Sequence, residues 1–234
     1  MLAGSTQFAT LEQALKHYFG YDEFRLAQRE IITTALANRD LLVVMPTGGG
    51  KSLCFQLPAL LKQGVTIVVS PLIALMQDQV QLLANNGIPA TFLNSSITTE
   101  ERRDRATAIY NGEIKLLYLA PERLNQEFIT NFLVDLHQEV GISGFAIDEA
   151  HCVSEWGHDY LPDDRQLSQL RGYFPEVPFL GLTATATDRV RQDIIKQLDL
   201  REPDIHVASF NRPNLYYEVR RKTTTPYREL LAQV

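Results

Sequence analysis

Two short runs of the chain carry residue types and spacings suited to phosphate chemistry. The first is MPTGGGKS at residues 45–52, set between an apolar run and an amphipathic one. Three consecutive glycines let backbone N–H groups turn inward without Cβ clashes. With the N-terminus of the following helix, the amides of Thr47, Gly48, Gly49 and Gly50 form a cradle for anionic oxygens. Lys51 is placed to reach the β- and γ-phosphates of a nucleotide, and the Ser52 hydroxyl to ligate Mg2+. A strict phosphate-loop pattern has glycine where Met45 stands here. Read alone, the run also suits a glycine turn that caps a helix start. The second run is DEAH at residues 148–151, closing the apolar stretch GFAID. Asp148 is placed to hold Mg2+ through its water shell, and Glu149 to orient and deprotonate an attacking water. An acidic pair after a strand is a weak signal by itself. Beside a polyphosphate cradle it becomes the second half of a phosphoryl-transfer site.

Both runs need strand ends to hold them. Apolar runs at 41–45, 65–70, 90–93, 115–120, 144–148, 178–184 and 205–209 mostly lack in–out alternation, which predicts strands buried on both faces, as in a parallel sheet. Helical patterns fill 51–62, 72–86, 98–111, 125–138 and 187–198, and two more, 10–19 and 25–37, precede the first strand. The β-α-β-α alternation predicts an α/β, doubly wound, mostly parallel sheet with helices on both faces. In such sheets ligands lie beyond the carboxyl ends of the strands, where both chemical runs fall.

Composition narrows the classes. The chain has 234 residues, 45% hydrophobic and 21% charged, which excludes a disordered tail, a coiled coil or a collagen-like rod. Its apolar runs are far shorter than the roughly 20 residues of a membrane helix. Two cysteines, Cys54 and Cys152, are too few for a disulfide framework or a four-cysteine zinc site, so an intracellular setting is expected, cytoplasmic or nuclear. A net charge of −6 argues against a nonspecific nucleic-acid coat and leaves room for a local basic groove.

Taken together, the two runs resemble those of superfamily 2 helicases, and of RecQ-family DNA helicases in particular. FGYDEFRLAQREII (19–32) resembles the family's nucleotide-base motif. SPLIALMQDQV (70–80) and YLAPERL (118–124) resemble motifs on the DNA side. IDEAHCVSEWGHD (147–159) resembles the acidic motif running into an aromatic-rich loop, GLTATAT (181–187) the third helicase motif, and SFNRPNLYYEV (209–219) the end of the first lobe. The resemblance implies a P-loop, RecA-like first lobe of a 3′–5′ DNA helicase that uses ATP and Mg2+ and serves DNA repair and recombination. It implies that Tyr21 stacks on adenine, that Arg25 assists at the base or phosphates, and that Gln28 reads the adenine edge. It makes His151 the partner of Thr183 and Thr185 in linking the nucleotide to the DNA. It assigns DNA contacts to Ser70, Gln77, Trp156, His158 and Tyr160, on single-stranded and duplex DNA.

The sequence departs from the family in one loop, where Leu161 stands at an arginine position and Asp164 at an aromatic one. Residues 1–208 are expected to form the ATP-binding lobe. Residues 209–234 read as a hinge and the truncated start of a second lobe. The second lobe, expected to lend arginines to the γ-phosphate, would be missing from this chain, leaving it deficient in turnover. The alternatives are a nucleotide- or DNA-binding module without turnover, and another superfamily 2 translocase acting on RNA.

Overall fold

The computed structural model describes residues 8–25, 27–94, 96–124, 126–154, 167–209 and 215–216. Seven strands lie among them: β1 (Leu41–Val44), β2 (Val65–Val69), β3 (Ala90–Leu93), β4 (Leu116–Leu119), β5 (Ile142–Ile147), β6 (Phe179–Thr183) and β7 (Asp204–Val207). They form one sheet in the order β3-β4-β2-β5-β6-β1-β7, and every pairing is parallel. All seven fall within a few residues of the apolar runs in the sequence. Strands β1, β2, β4, β5 and β6 are buried along their whole length. That explains why they read as continuous apolar runs.

The helices are α1 (Leu11–Phe19), α2 (Gln28–Leu36), α3 (Leu53–Leu61), α4 (Ile73–Asn85), α5 (Thr99–Tyr110), α6 (Pro121–Leu124), α7 (Glu127–Glu139), α8 (Leu167–Tyr173) and α9 (Asp188–Gln197). Neighbouring residues of β1 part to opposite faces of the sheet. Leu41 and Val43 pack with Ile31 of α2, Phe55 of α3 and Met76 of α4. Leu42 belongs to the core that holds Leu133 of α7, Leu170 of α8 and Ile194 of α9. The predicted doubly wound architecture is therefore present. Helix α1 adds an outer layer, with Leu11, Ala14 and Leu15 against Leu53 and Leu57 of α3. Helix α3 lies between layers, which is why it is apolar almost all round.

Three elements depart from the sequence reading. The single helix expected over 125–138 is preceded by the short α6. The DEAH run continues into a 3-10 turn (Ala150–Val153), and α8 follows further on.

Candidate active site

The phosphate loop leaves β1 at Met45 and enters α3 through Ser52, its N-cap residue. Gly48 and Gly50 have φ of 79° and 81°, a region that side chains disfavour. A Cβ on Gly50 would lie 2.2 Å from the Gln28 amide nitrogen, and one on Gly49 would lie 2.9 Å from the Pro46 carbonyl oxygen. The loop therefore needs glycine at these points for conformation and for space. Met45 does not: its N–H donates to the Thr183 carbonyl at 3.0 Å, continuing the β1–β6 ladder, and its side chain is buried beneath the loop. A residue still in strand geometry has no use for glycine's freedom, which accounts for the departure from the strict pattern. Lys51 Nζ donates to the Met45 carbonyl at 3.2 Å, folded across the loop's own mouth.

On the far side of β6, β5 gives way to Asp148, whose N–H continues the ladder to Val69 at 2.8 Å. Glu149 then takes a left-handed conformation, φ 50°, rare outside glycine. That residue turns the chain into the 3-10 turn and brings His151 back toward the end of β6. Thr183 Oγ1 donates to the Thr185 carbonyl at 3.2 Å, which leaves its oxygen to accept from His151 Nδ1 at 2.9 Å. The same Nδ1 lies 3.3 Å from Glu149 Oε2. His151, Thr183 and Thr185 are thus brought together as the resemblance implies.

The electrostatics follow from these contacts. Burial raises the Asp148 pKa, and the neighbouring Glu149 charge raises it further. The Glu149 N–H, the Lys51 charge and the Gln79 amide pull it back. The hydrogen bond from His151 holds Glu149 below the ordinary carboxylate range, against its own desolvation. Contacts with the Cys152 sulfur and with the Glu149 carboxylate push His151 up to about 10. Glu149 is thereby kept ionised, the state a general base requires.

Beside the loop lies a cavity of about 210 Å³ walled by Tyr21, Arg25, Gln28, Gly50, Ser52 and Gln56, among others. Tyr21 is 54% exposed, with the Arg25 guanidinium 5.9 Å from its ring centre. Gln28 is buried, and both ends of its amide are engaged. Its oxygen accepts from the Arg25 N–H at 2.8 Å, and its nitrogen donates to the carbonyls of Gly50 at 3.1 Å and Gly49 at 3.4 Å.

These residues fit a magnesium nucleotide. The loop's close glycine backbone suits phosphate oxygens, and the buried Asp148 carboxylate with the Ser52 hydroxyl suits a hard divalent cation. Among the described residues no group of three or more His, Cys, Asp or Glu side chains could hold a metal by itself, so a cation here would share its coordination with phosphate and water. Of the DNA-side candidates, Ser70 is fully buried at the end of β2, and Gln77 is exposed on α4, donating to Ser96 Oγ at 3.2 Å. Trp156, His158, Tyr160, Leu161 and Asp164 lie outside the described residues. Both cysteines are free and buried, as small apolar residues would be. No helix among the described residues is long and apolar enough to cross a membrane.

Sequence reasoning gave no role to Gln56, which donates to the Tyr118 hydroxyl; that hydroxyl donates in turn to Gln79, and both Tyr118 and Gln79 fall within the runs 118–124 and 70–80 that resemble DNA-side motifs.

A glycine loop after β1 and an acidic turn after β5, on either side of β6 at the carboxyl edge of a parallel sheet, define a P-loop domain of the RecA-like kind. The DEAD/DEAH box helicase family matches residues 25–194, and the chain belongs to that family. It is 46% identical over 213 residues to the ATP-dependent DNA helicase RecQ of Haemophilus influenzae, covering 91% of this chain and 34% of that protein. It is 44% identical over 218 residues to the ATP-dependent DNA helicase Q1 of Rattus norvegicus, covering 92% and 35%. The chain thus spans about a third of the length of these relatives. Among solved structures, the DUF1998 helicase MrfA bound to DNA and AMPPNP is similar in fold, with a TM-score of 0.70 at 18% identity over 98% of this chain and 34% of that one.

Proposed function

We propose that this chain is the ATP-binding lobe of a RecQ-type, ATP-dependent 3′–5′ DNA helicase. The observation that carries the reading is the placement of the Gly48–Gly50 backbone, Lys51 and the buried Asp148 at the carboxyl ends of β1 and β5, which flank β6, in a chain 46% identical to a RecQ helicase. The loop amides and Lys51 would bind the phosphates, with Lys51 leaving the Met45 carbonyl to do so. Ser52 and Asp148 would hold Mg2+, which when bound neutralises phosphate charge. Glu149, kept ionised by His151, would orient the attacking water and take its proton. Tyr21 and Arg25 would flank the base, and Gln28 would read its edge by exchanging a loop contact for it. Thr183 and Thr185, through His151, would link this chemistry to DNA held by Ser70, Gln77 and the loop carrying Trp156, His158 and Tyr160.

We take residues 1–208 as the lobe and 209–234 as a hinge toward a second lobe that lends further charge to the γ-phosphate. Such a charge is worth about 10³–10⁵ in rate, so the lobe alone binds Mg-nucleotide weakly and turns over little. Calorimetry with ADP and Mg2+ tests the reading. Binding is expected for the wild type, and binding roughly 10- to 100-fold weaker for Lys51→Ala. Equal affinities would sink the assignment. Competition between single-stranded DNA and RNA separates a DNA helicase from an RNA translocase, and preferred RNA binding would favour the latter.

A further inference from the structure

The turn that carries Glu149 and His151 is fastened to the domain at two points. Near its start, His151 Nδ1 meets Thr183 Oγ1 of β6 at 2.9 Å. At its exit, the Ser154 hydroxyl donates to Asp193 Oδ2 of α9 at 2.7 Å. Ser154 is fully buried and Asp193 partly so. The turn between them is closed by its own backbone. The Cys152 N–H donates to the Glu149 carbonyl at 2.9 Å, and the Ser154 N–H to the His151 carbonyl at 3.2 Å. From Asp193 to Glu149 every step is thus a contact of 3.3 Å or less: Asp193 to the Ser154 side chain, the Ser154 backbone to His151, and His151 Nδ1 to Glu149 Oε2.

Glu149 gives these anchors a task. Its φ of 50° lies in the left-handed region, which a residue with a side chain keeps only where its surroundings impose it. On its near side the chain comes from β5, a strand paired along both edges and therefore fixed. On its far side the backbone is held only as firmly as the exit of the turn, and Ser154 is that exit. Released there, Glu149 can relax to an ordinary backbone conformation, and its carboxylate swings with it. The two ties also bracket one stretch of sequence. Thr183 ends β6, Thr187 caps α9 by accepting the Val190 N–H at 3.4 Å, and Asp193 lies on the helix so begun. The turn therefore bridges the segment TATAT from the strand before it to the helix after it.

We infer that Ser154 and Asp193 are positioning residues for the proposed hydrolysis: their hydrogen bond anchors the exit of the turn, holds His151 against Glu149, and so sets the direction of the Glu149 carboxylate. The inference rests on the general-base role proposed for Glu149 and adds to it two residues that line neither the phosphate loop nor the cavity beside it. A purely structural account fits less well. Ala150 and Val153 of the turn already pack with Ile194 of α9 in the core, so apolar contact supplies the adhesion. A buried hydroxyl aimed at a carboxylate adds direction, since a hydrogen bond constrains angle as well as distance. It fixes the rotation of the residue that closes the turn, which apolar contact leaves loose.

The test uses Ser154→Ala and Asp193→Leu, which remove the bond, and Asp193→Asn, which keeps an acceptor oxygen for it. Single-turnover hydrolysis is timed with the chain in excess over ATP and Mg2+, and ADP affinity is measured by calorimetry. Both broken variants are expected to hydrolyse about tenfold more slowly, the effect of losing one hydrogen bond to a charged group, while ADP affinity stays as in the wild type. Asp193→Asn is expected to stay within about threefold of the wild-type rate. Wild-type rates in both broken variants overturn the inference, and so does a fall in Asp193→Asn as deep as in Asp193→Leu. A joint loss of rate and affinity means general loosening and overturns it too. Glu149→Gln hydrolysing at the wild-type rate overturns instead the role of Glu149. One resonance decides without turnover: the His151 ring N–H, assigned by its loss in His151→Asn, is protected from exchange with water while Nδ1 donates to Thr183. It is expected in the wild type and Asp193→Asn and lost in both broken variants. Its persistence in both ends the inference.

Discussion

Two buried aspartates stand at opposite ends of the sheet, and their surroundings differ in kind. Asp40, just before β1, accepts from the N–H groups of Phe179 and Arg201, both at 2.8 Å, and pairs with the buried guanidinium of Arg171. Each of its oxygens is supplied by protein. Asp148, just after β5, receives one backbone N–H at 3.0 Å and sits beside a second carboxylate. A lysine accompanies each. Lys62, at the amino end, donates to the Ser143 carbonyl at 2.5 Å, whereas Lys51 reaches only the Met45 carbonyl at 3.2 Å. The amino end uses its charges to close the fold. The carboxyl end keeps a carboxylate short of positive partners and a lysine weakly engaged, and that deficit is what the proposed magnesium-nucleotide site would draw on.

Exchanging the charge at one end should therefore cost folding, and at the other should cost binding. The largest effect is expected from Asp40→Asn. It strands the Arg171 charge in the interior, a loss of about 3–5 kcal/mol, which thermal denaturation should show as a fall in Tm of roughly 10 °C or more. An unchanged Tm would mean that the two ends are not different in kind. Next comes Lys51→Ala, expected to weaken ADP binding by about 1.5–3 kcal/mol, the value of a charge-assisted contact, or roughly 10- to 100-fold. Calorimetry checks this, and Tm should barely move.

A smaller effect separates the lysines by pH. Burial lowers the Lys62 pKa to about 8 from 10.5. Between those values the unfolded chain holds more protons than the folded one, so this group makes stability rise as pH rises from 8 to 10.5. The comparison is with Lys62→Met: the wild type should gain Tm relative to the variant across that window and run parallel to it below. Smallest of all is the stability change for Asp148→Asn, under about 1 kcal/mol, because relief from desolvation offsets the lost attraction to Lys51. The same variant should lose the Mg2+ dependence of ADP binding. A large fall in Tm would show that Asp148 serves the fold as Asp40 does.

What the sequence revealed follows the same division. The phosphate loop was legible because its constraint is local: three glycines, a lysine and a serine act within eight residues, with backbone as the main material. Five of the seven strands were legible because burial on both faces leaves an unbroken apolar run, whereas β3 and β7 alternate in burial. Asp40 was invisible, since its partners Arg171, Phe179 and Arg201 lie far along the chain and nothing in its neighbours names them. The 3-10 turn after Glu149 was hidden because it depends on one residue's left-handed backbone rather than on a pattern. The place of β6 between β5 and β1 could not be read either, because pairing order leaves no periodic trace.

The pairing of β1 also orders events in time. Leu41 pairs with Leu180 on one side and Asp204 on the other, so both neighbours of this strand lie roughly 140 and 160 residues downstream. At the ordinary pace of synthesis, about 5–20 residues per second, the strand that bears the phosphate loop waits for the order of ten seconds before either partner exists. During that wait β2, β4 and β5 can assemble among themselves, while β1 remains an apolar ribbon without a seat. The chemistry written nearest the start of the chain is thus among the last parts to take shape, and a newborn chain halted before β6 would hold the loop's residues without the loop.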